Sequence, residues 1–137
     1  MARAIGSVAA GIVAAFVVVL AVEMAGLQIF PQPAGMDPLN PESVREHMAE
    51  IHPGSFVTVL VAWTLAAFTG PVVARRIAGG EARWPALTVV GLFVALCAYN
   101  LVVVPSPSWM IAGAIVGVGA ASTFGLRSHV LPPPTVK

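Results

Sequence analysis

The sequence predicts an all-α protein in which four transmembrane helices form a bundle, with a short amphipathic helix in the first extracytoplasmic loop. Apolar residues make up 58% of the chain and charged residues only 9%, against about 25% charged in soluble domains. Four apolar runs each approach or exceed the roughly 20 residues that a helix needs to cross a bilayer. They cover about 5–30, 55–74, 85–104 and 109–125. Within lipid such runs must be helices, because backbone groups find no water there.

For the first run, 5–30, a cleaved signal peptide is the alternative to a transmembrane helix. A signal peptide has an apolar region of about 7–15 residues followed by a small-residue cleavage site. The run here is longer, and it leads into Val22-Glu23-Met24-Ala25, which is a poor cleavage site. We therefore expect an uncleaved transmembrane helix, and one membrane domain over 1–137.

One carboxylate, Glu23, lies inside the first run. It precedes Phe30 by seven residues, which places it about 10 Å below the outer end of the helix. A charged group at such a depth costs free energy and should face the bundle or a wet cavity. Two interpretations stay open: a proton carrier or cation ligand, or a neutral hydrogen-bonded acid that orders helix packing.

The distribution of basic residues predicts the orientation. One side of the membrane receives six of the seven, and only Arg45 falls on the other. The six are Arg3, Arg75, Arg76, Arg83, Arg127 and Lys137. The positive-inside rule then predicts cytoplasmic N- and C-termini and a cytoplasmic tail over 127–137.

The outer loop, 31–53, is the largest soluble segment. Asn40 followed by Pro41 is typical of a helix N-cap with proline at the first helical position. We predict a helix from Pro41 to Ile51 that places Val44, Met48 and Ile51 on one face. Such a helix would lie at the outer surface with its apolar face toward the bundle or the lipid.

Three residues of this outer cap, His47, Glu50 and His52, are of types that bind zinc. Their spacing matches no specific ligand motif, and the two histidines share a helical face poorly. We therefore expect solvated surface groups and no metal.

Small residues recur at every fourth position in the second and fourth runs, a spacing that lets helix backbones approach closely. The residues concerned are Ala62, Ala66 and Gly70, continued by Ala74, and Gly113, Gly117 and Ala121, continued by Gly125. Packing within the chain is the simpler interpretation, and a homodimer or a membrane-protein partner is the alternative.

A polar intramembrane cluster can be assembled from depth alone. Asn100 and Tyr99 in the third run and Thr58 in the second lie at a level comparable with Glu23. Amide and hydroxyl groups are the partners that a buried acid needs. The hypothesis requires that these side chains face one another, which depth does not determine.

Several short motifs resemble an uncharacterised family of small bacterial four-helix integral membrane proteins. They are Glu23-Met24-Ala25-Gly26, Phe30-Pro31-Gln32-Pro33-Ala34-Gly35-Met36-Asp37, Trp63, Gly70 with Ala74, Asn100, and Pro105-Ser106-Pro107-Ser108-Trp109. This resemblance implies four spans and residence in the cell (inner) membrane, and it gives no activity.

A looser likeness links the stretch from Ala21 to Gly26 to the small multidrug resistance transporters, which also use a glutamate in the first of four spans. The long outer loop, the outward position of Glu23 and the strong orientation bias argue against drug–proton antiport here.

No phosphate loop, paired-cysteine motif or nucleophile elbow is present in the sequence. The net charge of +1 favours no nucleic-acid partner, and the lone Cys97 suggests packing. We expect no cofactor and no enzymatic activity. The leading hypothesis is an accessory or interaction subunit of a membrane assembly. The alternatives are a small proton-linked transporter using Glu23, or a lipid- or quinone-binding membrane protein.

Overall fold

A computed structural model describes residues 1–79 and 83–128. In this part of the chain four helices are long and apolar enough to cross a membrane, and a short helix lies between the first two of them. The helices are α1 (Ala2–Ile29), α2 (Pro41–Glu46), α3 (Pro53–Ala78), α4 (Trp84–Val103) and α5 (Ser108–Arg127). The predicted fold class is confirmed, and the chain is a multi-pass membrane protein. The predicted tail lies outside the described residues from 129 onward, Lys137 included.

The second spanning helix, α3, is longer than its apolar run at both ends. It begins with Pro53 at the first helical position, and the His52 ring accepts a hydrogen bond from the Gly54 N–H at 3.0 Å. At the other end Arg75 and Arg76 extend the helix, because arginine is a good helix former. Gly79 then ends it in the left-handed conformation, with φ +93°.

The helix of the outer cap begins as predicted and ends earlier. The Asn40 side chain accepts a hydrogen bond from the Glu42 N–H at 3.0 Å, with Pro41 at the first helical position. The helix was expected to reach Ile51, but α2 ends at Glu46, and turns follow. The backbone hydrogen bonds show the difference: the His47 N–H still donates to the Ser43 carbonyl at 3.2 Å, but the Met48 N–H donates to the Arg45 carbonyl at 3.4 Å, three residues back. The last turn therefore tightens and the α-helix ends.

The α3 helix is central, since it contacts α1, α4 and α5, and its most extensive contact is with α1. The two backbones come together where Gly11 faces Gly70. A side-chain carbon placed on Gly11 would lie 2.8 Å from the Gly70 carbonyl oxygen. Because lipid is as apolar as a leucine side chain, membrane helices associate through such close van der Waals packing of small residues.

The interior is built mainly from small side chains of α3 around one large aromatic. Trp63 lies in the middle of α3 and is buried among residues of the other spans. The members of this core are Ala15, Ala62, Trp63, Ala66, Ala67, Phe93, Cys97, Met110, Ala114, Val118 and Ala121. The outward faces of the helices carry large apolar side chains, as a lipid-facing surface requires.

The two ends of the bundle differ in chemistry. At one end, here called the loop end, the segment 30–52 connects α1 to α3 and carries Asp37, Glu42, Glu46 and Glu50. At the opposite end, here called the arginine end, α1 and α4 begin and α3 and α5 finish. There Arg75 Nη1 donates to the carbonyls of Leu126 at 2.5 Å and Ser128 at 3.0 Å. Arg75 thus satisfies carbonyls in and just beyond the last turn of α5, which a helix end leaves without intrahelical partners.

Candidate functional site

A pocket of about 140 Å³ lies at the loop end, between α1, α3 and the loop. It is called the Glu23 pocket here. Its lining comes from α1 (Glu23, Gly26, Leu27), from the loop (Phe30, Gln32, Pro33, Met36, Ile51) and from α3 (Ser55, Thr58, Val59). Apolar walls with a few convergent polar groups are typical of binding sites for small molecules.

Glu23 is the acid of this pocket, and its side chain is half-buried. Its position follows from the contact face of α1: Gly26, three residues further on, packs against α3, so Glu23 lies at the edge of the same face. Among the described residues no hydrogen bond involves its carboxyl group. Both oxygens therefore remain available to a molecule that enters the pocket.

Gly26 and Thr58 bring α1 and α3 together beside this acid. A side-chain carbon placed on Gly26 would overlap the Thr58 side chain, so only glycine allows the approach. The Thr58 hydroxyl donates to the Gly54 carbonyl at 2.9 Å. Since its single proton is used there, Thr58 offers the pocket only oxygen lone pairs.

An aromatic stack stands at the loop end of the pocket. The ring of Phe30, which lines the pocket, stacks on the His52 ring with centroids 4.7 Å apart and planes 13° from parallel. Gly54 lies directly under Phe30, where a side chain would collide with the ring. Because His52 also caps α3, the aromatic stack links Phe30, at the loop end of the pocket, to the first turn of that helix.

The structure brings half of the predicted polar cluster together. Glu23 and Thr58 line the pocket, whereas Asn100 and Tyr99 lie exposed on α4 and are not among its lining residues. Counting residues along the helices places all four at similar depth, but the rotation of α4 turns Asn100 and Tyr99 outward. The pocket contains Ser55 and Gln32 instead.

Sequence reasoning missed these two polar residues for identifiable reasons. Ser55 lies three residues before Thr58, so helical spacing alone puts both on one face of α3. Gln32 lies between two prolines, and only the fold of the loop returns it to α1.

The outer-cap residues do not form a common site in the described part of the chain. His47 uses Nδ1 to bind the Ser43 carbonyl, and His52 uses Nδ1 to cap α3. Glu50 is exposed. Within the described residues no three acidic, histidine or cysteine side chains converge in a way that could hold a metal ion.

The small residues of α3 and α5 lie in contacts within the chain. Ala62, Ala66, Gly70 and Ala74 are buried. The α5 series meets the opposite side of α3: side-chain carbons placed on Gly113 and Gly117 would lie 2.7 Å from Leu60 Cδ2 and Thr64 Oγ1 respectively. Ala121 is also buried. This placement accounts for the spacing of both series without a second chain.

A larger groove of about 250 Å³ lies between α1 and α4. Apolar residues such as Phe16 and Phe93 line it, and it has no convergent polar groups. A lipid acyl chain suits such a groove without any specific recognition. The Glu23 pocket, with its acid and hydroxyls, is therefore the better candidate site.

The chain matches no protein-family model, no curated protein and no solved structure. The resemblance to small bacterial four-helix membrane proteins therefore rests on the short motifs alone. The class of protein comes from the fold, which is that of a multi-pass membrane protein, and the candidate site comes from the geometry of the Glu23 pocket.

Proposed function

We propose that the chain is a non-enzymatic membrane protein that binds a lipid-soluble amphiphile, whose polar head enters the Glu23 pocket. The observation that carries this proposal is the half-buried carboxyl group of Glu23, which faces a pocket and makes no hydrogen bond to the described residues. A carboxyl group at that depth is costly to keep unless something there interacts with it.

The chemistry of the lining favours a head group that donates hydrogen bonds. Glu23 offers acceptor oxygens, and Thr58 has already used its proton on Gly54. Ser55 and Gln32, which also line the pocket, can both donate and accept. A primary ammonium complements such a lining with three donors and a charge. A quinone, whose ring carbonyls only accept, can pair with Ser55 and Gln32 but gives the Glu23 carboxylate no donor. A lipid with an amine head is therefore the better candidate of the two.

The size of the pocket limits what enters it. Sites for drug-sized molecules occupy about 300–1,000 Å³, whereas this pocket is about 140 Å³. It therefore takes a small head group, while the apolar tail stays outside against the lipid-facing surface. Met24 and Leu27, both exposed on α1, provide apolar surface next to the pocket for such a tail.

The accessory-subunit hypothesis rested on the absence of catalytic motifs, on the small-residue series and on the outer cap, and the small residues also make contacts within the chain. It stays a prediction, tested by the native mass of the protein in its membrane. The transporter hypothesis also stays a prediction. It requires solute flux in proteoliposomes that Glu23→Gln abolishes.

The binding proposal is tested with the full chain in lipid discs, by native mass spectrometry of retained lipid. Phosphatidylethanolamine, which has a primary ammonium, should be retained in preference to phosphatidylcholine, whose ammonium has no donor. Glu23→Gln should reduce this preference about tenfold, since hydrogen bonds to charged groups contribute about 1.5–3 kcal/mol.

Glu50→Gln is the matched control, because it removes an exposed acid of the same loop end that does not line the pocket. It should leave the preference unchanged. Equal preference in Glu23→Gln and in the unaltered chain would refute the proposal. In a cell membrane the loop end is expected on the extracytoplasmic side, as the arginine distribution predicts.

A further inference from the structure

Four basic residues lie in or next to the helix ends that form the arginine end. Arg3 belongs to the first turn of α1, Arg76 to the last turn of α3, and Arg83 precedes α4. Arg127 ends α5, and all four are exposed. Among the residues that the structure describes at this end none is acidic, and Glu81 lies outside the described residues. The end therefore has a concentrated positive charge, opposite in sign to the loop end.

One of these arginines is held in place by the fold. Arg3 Nε donates to the Ile77 carbonyl at 2.8 Å, which fixes the guanidinium against the end of α3. A side-chain carbon placed on Gly79 would lie 3.8 Å from Arg3 Nη2, so the group also reaches the last residue of the cap. In the described part of the chain only Nε of this guanidinium makes a hydrogen bond. Its terminal nitrogens keep their donors.

A second arginine lies next to this contact in the sequence of α3. Arg76 immediately precedes Ile77, whose carbonyl holds Arg3, and its side chain is exposed. Arg75 is not available in the same way, since it binds carbonyls of Leu126 and Ser128. The corner between α1 and α3 therefore presents one anchored and one exposed guanidinium.

We propose that Arg3 and Arg76 bind the phosphate of an anionic phospholipid at the arginine end. Guanidinium groups match phosphate oxygens geometrically, with parallel N–H donors. Helices long enough to cross a bilayer are expected to end near its phosphate layer, and basic residues beside spanning helices attract anionic lipids. A zwitterionic lipid suits the corner less well, because its own ammonium is repelled by the neighbouring arginines.

The test uses the full chain in lipid discs that contain equal amounts of phosphatidylglycerol and phosphatidylcholine. The ratio of the two lipids retained on the protein is measured by native mass spectrometry. The unaltered chain should retain phosphatidylglycerol preferentially. Arg76→Gln should lower that ratio about fivefold, and Arg3→Gln with Arg76→Gln should lower it further. Raising the salt concentration should weaken the preference.

Two controls make the outcome decisive. Arg45→Gln removes one positive charge at the loop end, where Arg45 pairs with Glu42, and should leave the ratio unchanged. Loss of Arg3 removes its hydrogen bond to α3 and can disturb the packing of α1. The single variant Arg76→Gln leaves that hydrogen bond in place, so its effect on the ratio reports lipid binding alone. Inorganic phosphate is added separately. Full displacement of the lipid by millimolar phosphate would assign the site to a free anion and overturn the lipid proposal, as would an unchanged ratio in Arg76→Gln.

Discussion

The crossing of α1 and α3 at Gly11 allows a sharp test of the packing. A methyl group added by Gly11→Ala would lie 2.8 Å from the Gly70 carbonyl oxygen and 3.0 Å from both Ala74 Cβ and Val89 Cγ2. Optimal separation between carbon atoms is about 3.5–4.0 Å. Because the nearest obstacle is backbone and not the end of a flexible side chain, the two helices must move apart.

The expected loss of stability follows from two opposing contributions. Overpacking a tight interior costs about 1–3 kcal/mol, whereas replacing glycine by alanine inside a helix gains up to about 1 kcal/mol. Gly11→Ala should therefore lower the free energy of unfolding by about 1–2 kcal/mol. Gly6→Ala is the matched control on the same helix, since nothing lies within 4 Å of its added carbon. It should be neutral or slightly stabilising.

The measurement is reversible unfolding in bicelles or mixed micelles, followed by circular dichroism or steric trapping, with all variants in the same lipid mixture. Gly119→Ala, also without neighbours within 4 Å, controls for a general effect of alanine on a lipid-facing position of another helix. Equal stability of Gly11→Ala and Gly6→Ala would refute the reasoning, because it would mean that α1 and α3 do not meet at Gly11.

Two further substitutions test the helix ends. Arg75→Met keeps much of the aliphatic stem but removes the donors to Leu126 and Ser128. Amide hydrogen exchange in the last turn of α5 should therefore accelerate, by an amount equivalent to about 1.5–3 kcal/mol. Equal acceleration in the control Arg76→Met, which replaces an exposed arginine, would contradict this. Asn40→Ala removes the cap of α2 and should raise amide exchange at Glu42 about fivefold, from a loss near 1 kcal/mol, whereas Asn40→Asp keeps the cap and should exchange like the unaltered chain.

The sequence alone predicted those features that depend on residues close together in the chain. Runs of apolar residues long enough to cross a bilayer became the four long helices, and Asn40 followed by Pro41 marked the start of α2. The end of α2 was not readable, because it depends on the Met48 N–H donating to the Arg45 carbonyl, three residues back, where a continuing α-helix would use the carbonyl four residues back. Helix propensity carries no information about where the last turn tightens in this way.

For the candidate site, the sequence predicts the depth of each polar residue, whereas only the tertiary structure determines which of these residues face one another. Depth in the membrane follows from counting residues at about 1.5 Å each, so Glu23, Thr58 and Asn100 could all be assigned to one level. Which of them face one another depends on how each helix is rotated about its axis. That rotation depends on which small residues meet across the chain, as Gly26 meets Thr58. The sequence by itself therefore determined the spans and the depth of the acid, while only packing between distant helices selected its neighbours.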